Sequence, residues 1–315
     1  LNNNIILPGF TDSHCHFLDG GLRLLSVQLR DVKTKEEFKQ KVKDYIQTKE
    51  SGTWILGGDW NHYNFGGELP TKEWIDDISP NNPVWLNRMD GHMSLANSYA
   101  LNLCGINNQT SDIPGGTIVR DSNGNITGIL KDNACNLITT HIPRHSPENC
   151  AEALEKAMDY VSSKGVTKVH TMVTVDCVCG LWPKNLGKDA DKEDMEIAYE
   201  ELEVYHNAYK QGKLRTRIQA ALPLASYQRL LSELNKTNSS LNNDWLKATH
   251  LKAMIDGSLG SHTAAFHEPY TDDITQTDKG HLIWDEQEIE KYIAGATEND
   301  LQVMVHAIGD RANHI

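Results

Sequence analysis

The sequence predicts an α/β fold, a (β/α)8 barrel of the TIM type carried through about its first five strands and interrupted by a β-rich insertion. Three observations lead there. From residue 147 onward strand-like and helix-like segments alternate, the rhythm of a parallel sheet with crossover helices. Between residues 53 and 131 that rhythm gives way to short apolar pieces punctuated by Gly and Asn. The 315 residues also suffice for one barrel domain, typically about 250 residues, plus a lobe.

Taken in order, Ile5-Ile6-Leu7-Pro8-Gly9-Phe10 is an apolar run leading into polar, His-rich sequence, as expected of a buried first strand whose end opens into a pocket. Residues 34–48 set Phe38, Val42, Tyr45 and Ile46 at helical spacing, with Gly52 as a stop. Residues 1–52 therefore make the start of the barrel. Residues 53–131 form the insertion, with extended pieces at residues 54–58, 83–86, 116–119 and 126–130. Asp121-Ser122-Asn123-Gly124-Asn125 predicts a hairpin turn between the last two. Residues 132–315 continue the barrel, with helices at 147–164, 193–211, 228–235 and 285–299 and strands at 166–172, 216–222, 250–255 and 302–307. With the first strand these make five, where closure needs eight. The chain opens without Met and stops just past the last strand, so a fragment of a longer protein is expected.

A net charge of −13 argues against a nucleic-acid partner, since phosphate recognition wants clustered Lys and Arg, and the lysines of residues 33–49 are interleaved with acids. Hydrophobic content of 39% and a mean hydropathy of −0.51 describe a globular chain without a membrane-spanning run. Cys15, Cys104, Cys135, Cys150, Cys177 and Cys179 have neither the spacing of a disulfide framework nor that of a paired zinc site. Free thiols are expected, with the cytoplasm favoured over a secretory lumen, while any targeting segment upstream would be invisible.

Three motifs could carry chemistry. In Asp12-Ser13-His14-Cys15-His16, side chains two apart on a strand share a face, so both imidazoles could reach one ion and Cys15 would point the other way; two surface histidines flanking a turn are the alternative. In Val305-His306-Ala307-Ile308-Gly309-Asp310, an apolar strand delivers His306 to its end as a ligand or as a hydrogen-bonded core histidine. His250-Leu251-Lys252-Ala253-Met254-Ile255-Asp256 sets a lysine in an apolar strand, where an uncompensated ammonium is costly. Lys252 could pair with Asp256, which the residues alone favour, or be carboxylated on its amine. His170, inside the second barrel strand, reads as a satisfied core histidine. Trp60, His62, Tyr63 and Trp85 could line an apolar pocket or form the core of the lobe.

These motifs in this order, with Leu7-Pro8-Gly9-Phe10-Thr11-Asp12, Trp54-Ile55-Leu56-Gly57-Gly58, Asp90-Gly91-His92 and Asp256-Gly257-Ser258-Leu259-Gly260-Ser261, resemble the amidohydrolase superfamily, specifically amidohydrolase family 3. That family includes N-substituted formamide deformylase and a eukaryotic branch with a plant long-after-far-red protein. The resemblance implies a metal-dependent hydrolase barrel with a flanking β-sandwich. It implies His14, His16, Lys252 and His306 as ligands of one or two divalent ions, zinc being favoured, with Lys252 N6-carboxylated. It also implies a general-base Asp beyond Ile315, so that residues 1–315 alone are expected to be inactive. The expected reaction is hydrolysis of a carbon-nitrogen bond other than a peptide bond, in an amide or N-formyl substrate, by attack of a metal-bound hydroxide. Asp90, His92, Asp256 and Trp60 are expected at the small-molecule amide substrate. A homo-oligomer is compatible with all of this. The alternative is an inactive, amidohydrolase-like regulatory or binding protein.

Overall fold

The computed structural model describes residues 5–173, 192–237, 240–259 and 262–315. Its strands are β1 (Phe10–Cys15), β2 (Val27–Gln28), β3 (Ile55–Trp60), β4 (Val84–Arg88), β5 (Met93–Ala96), β6 (Gly116–Arg120), β7 (Ile126–Asp132), β8 (Val166–Met172), β9 (Arg217–Pro223), β10 (Leu246–Met254) and β11 (Gln302–His306). Its α-helices are α1 (Phe17–Leu24), α2 (Lys35–Ile46), α3 (Ser98–Leu103), α4 (Asn136–Thr139), α5 (Pro147–Ser163), α6 (Lys192–Lys210), α7 (Tyr227–Lys236), α8 (Glu286–Thr297) and α9 (Asp310–His314). Cys177 and Cys179 lie outside the described residues. Among those described, no helix is long and apolar enough to cross a membrane.

The chain divides into two compact units. The first holds the described residues before Asp19 and the described residues from Leu154 on, and its sheet runs β1-β8-β9-β10-β11 with every pair parallel. These are the five barrel-type strands expected from the alternation. Parallel strands need crossovers, and α6, α7 and α8 lie between successive strands of this sheet. One face is apolar and closed: Val169, Ile218, Ala220, Leu222, Leu251 and Ala253 are buried, as are Leu202, Tyr205, Leu230 and Ile289 of the helices. The first strand corrects the sequence expectation. Apolarity alone puts it at residues 5–10, but Ile5, Ile6 and Leu7 are exposed, and pairing with β8 begins at Phe10. His14 therefore rides on the strand itself.

The second unit, Asp19–Ala153, holds a mixed sheet in the order β2-β3-β4-β5-β7-β6. Its central strands alternate between two buried cores. Ile55, Val84, Leu86, Leu95 and Ile129 join Phe38, Val42, Trp60 and Trp74 in one, while Leu56, Trp85, Ala96 and Leu130 join Leu101, Ile118 and Ile138 in the other. Because both faces are covered, these strands read in the sequence as short continuous apolar runs rather than as an alternation. Phe38 and Val42 tie α2 to this sheet, so the unit takes in a helix that the sequence places with the start of the barrel. Thr34 caps α2, its hydroxyl accepting the Glu37 N–H at 3.1 Å. The β6–β7 hairpin closes as expected, with the Asp121 carboxylate accepting the N–H groups of Asn123 and Asn125 and Gly124 at φ +83°.

Trp60, expected at the substrate, is fully buried instead, with its indole N–H donating to the Leu86 carbonyl at 2.8 Å. It is a core side chain, and so is Trp85. Trp60→Ala should accordingly lower the unfolding free energy by about 3–5 kcal/mol, measured by urea denaturation. A loss below about 1 kcal/mol would be inconsistent with that packing.

Candidate metal centre

His14 lies on β1 and His16 just beyond it, their ring centroids 5.9 Å apart and the planes inclined at 67°. Between them Cys15 pairs with Thr171 of β8, and its thiol donates to the His170 carbonyl at 3.6 Å. The Glu201 carboxylate of α6 acts on this thiol, whereas the charges that act on His14 include Lys252 and His306 of the sheet's other face. The Asp12 carboxylate accepts the His14 backbone N–H at 3.0 Å.

Lys252 and His306 come from adjacent strands. The β10–β11 register aligns Lys252 with Met304 and Met254 with His306, so both side chains leave the same face, His306 one pleat further along. Lys252 and His306 both act electrostatically on His14. Burial first, then the Lys252 charge, pushes the His14 pKa below the ordinary imidazole value; Asp12 opposes this and His306 adds to it. The shift favours neutral imidazole, the form that binds metals. Burial also lowers the Lys252 pKa.

The ion pair between Lys252 and Asp256 is not made. Asp256 is fully buried and accepts three backbone N–H groups, from Ala265 at 2.9 Å, Ile308 at 3.0 Å and Gly309 at 2.7 Å. Its carboxylate ties the loop after β10 to the turn after β11. It therefore has no free face for a substrate, which corrects the role expected from its motif. Gly309 is required here because a Cβ would lie 1.8 Å from the Ala265 carbonyl oxygen.

The donors fit a divalent ion in kind: three imidazoles, with His14 biased toward the neutral form, and an amine shifted toward it. They are not gathered, since among the described residues no three His, Cys, Asp or Glu side chains are placed to share a metal. His306 Nε2 lies 2.9 Å from the Gly257 carbonyl oxygen. A carbonyl only accepts, so that nitrogen carries the proton.

The remaining expected residues lie in the other unit. His92 is exposed, its Nδ1 2.9 Å from Asp132. Asp90 pairs with Arg88 and accepts the His92 backbone N–H at 3.3 Å. Both are loop-bracing contacts.

A row of polar groups beside Lys252 goes unread in the sequence. Register places His170, Gln219 and His250 on the Lys252 face. Gln219 Nε2 is 2.8 Å from the His250 ring, and the His250 and His170 rings meet edge to face at 5.8 Å. Among the described residues His170 Nε2 is buried without a hydrogen-bond partner, which corrects its reading as a satisfied core histidine. The available signal was the spacing: His250 stands two residues before Lys252, as His14 stands before His16.

A family model described as an amidohydrolase family matches residues 1–313. Protein LONG AFTER FAR-RED 3 of Arabidopsis thaliana is 41% identical over 314 residues, covering 99% of this chain and 51% of that protein. N-substituted formamide deformylase of Arthrobacter pascens is 29% identical over 182 residues, 55% of this chain and 34% of that protein. The crystal structure of an uncharacterized metal-dependent hydrolase from Pyrococcus furiosus superposes with a TM-score of 0.67 at 27% identity, covering 98% of this chain and 56% of that one. The chain thus spans about half the length of the plant relative and of the archaeal structure.

Asp256→Asn replaces one accepting oxygen with a donating NH2 that faces backbone N–H groups. The expected loss is roughly 1–3 kcal/mol in urea unfolding, with faster amide exchange at Ile308 and Gly309. Unchanged stability and exchange would refute the bracing role.

Proposed function

Because the chain belongs to the amidohydrolase family, we propose that the protein is a metal-dependent hydrolase acting on carbon-nitrogen bonds other than peptide bonds. The observation that carries the reading is Lys252, an amine shifted toward its neutral form with no acid paired to it among the described residues, on the sheet face that also receives His306. His14, His16, Lys252 and His306 would hold one or two divalent ions, with zinc favoured by the imidazole donors. A bound ion would supply Lewis acidity that lowers the pKa of water and polarises a carbonyl.

The chain's own residues prepare that chemistry. Burial favours the neutral form of His14, whose lone pair is then available to a metal without first losing a proton. A neutral Lys252 amine can add to carbon dioxide, forming an N–C bond and releasing a proton. The product carries an anionic oxygen donor where the protonated amine would carry a positive charge. The row formed by His170, Gln219 and His250 keeps the same face polar. An amide or N-formyl substrate is supported by the similarity to N-substituted formamide deformylase, whose name describes that chemistry for that protein.

In the full-length protein, His14→Ala should lower bound metal and reduce turnover of N-formyl amines by more than the 10–100-fold, approximately, that is typical of outer-shell substitutions. Elemental analysis and a steady-state assay read the two effects. Retention of both metal and turnover would overturn the assignment.

A further inference from the structure

The strand that carries the two imidazoles is poorly held by its own ladder. β1 has one strand neighbour among the described residues, its pairing with β8 is irregular between Asp12 and Cys15, and His16 lies beyond its last residue. What holds this segment comes from β8. On one side of His16 the Cys15 thiol donates to the His170 carbonyl; on the other, the Phe17 N–H donates to Thr171 Oγ1 at 3.1 Å. Thr171 is fully buried, so this bond forms away from water.

We propose that Thr171 is a positioning residue for the ligand pair His14 and His16, fixing residues 15–17 against β8 so that the two imidazoles keep one mutual geometry. The inference rests on the metal-site reading above and adds a residue outside the motifs that define it. Thr171 acts by accepting the Phe17 N–H.

The test uses the full-length protein and compares wild type with His14→Ala, Thr171→Val and Thr171→Ser. Zinc affinity is measured by competition with a chromophoric chelator, geometry by the visible spectrum of the cobalt(II)-substituted protein, and folding by the melting temperature of the metal-free form. Thr171→Val should weaken zinc binding by about 10–100-fold and alter the cobalt spectrum. Thr171→Ser, which keeps the oxygen, should bind within about threefold of wild type, inside the spread of single-contact effects. If wild type binds zinc, His14→Ala does not, and Thr171→Val binds as wild type with an unchanged cobalt spectrum, the positioning role is wrong while the site stands. If affinity falls equally in Thr171→Ser and Thr171→Val, the role of the hydroxyl is likewise overturned. If wild type binds no zinc or cobalt, the site reading fails and this inference with it.

Discussion

Lys252 brings an amine to a partly buried position on the sheet face that also receives His306, and both side chains act on His14. An ammonium there loses hydration and gains no carboxylate, because the nearby buried acid, Asp256, is saturated by three backbone N–H groups. The physical resolution is to change the charge state: a neutral amine, a carbamate, or a bound ion that makes electron donors favourable. The site depends on that constraint. A carbamate at Lys252 would supply the negative charge that the cluster lacks.

The parallel register turns that local problem into a site. β8, β9, β10 and β11 are aligned so that His170, Gln219, His250, Lys252 and His306 occupy one face, while Val169, Ala220, Leu251 and Ala253 are buried on the other. Barrel interiors are ordinarily filled by branched aliphatic side chains. A face this polar carries a desolvation cost that a ligand binding only the folded state would offset by mass action. The mixed sheet of the second unit has no such cost, with apolar cores on both faces.

What was legible in the sequence followed from periodicity and from residues out of place. The βα alternation located all four later barrel strands, since buried parallel strands are apolar runs and their helices have their own spacing. His14, His16 and Lys252 stood out because a strand repeats every two residues and a lysine in an apolar run is anomalous. The first strand was misplaced because the apolar residues 5–7 are exposed and the pairing residues, Phe10 to Cys15, are mostly polar. Trp60 and Asp256 were misread for a different reason. Their residue types suit a pocket, but their partners, the Leu86 carbonyl and the N–H groups of Ala265, Ile308 and Gly309, are set by tertiary contact. β2 and β5 are too short to leave a periodic signal, and the Phe17–Thr171 hydrogen bond joins residues far apart in sequence.

The central claim is that His14, His16, Lys252 and His306 converge on a divalent ion. Anomalous diffraction at the zinc edge from crystals of the full-length protein tests it most directly. The account predicts a peak about 2.0–2.1 Å from an imidazole nitrogen of both His14 and His16, with density for a carboxylated Lys252 beside it. No peak at these residues in zinc-loaded crystals, or a peak held by other side chains, would contradict it.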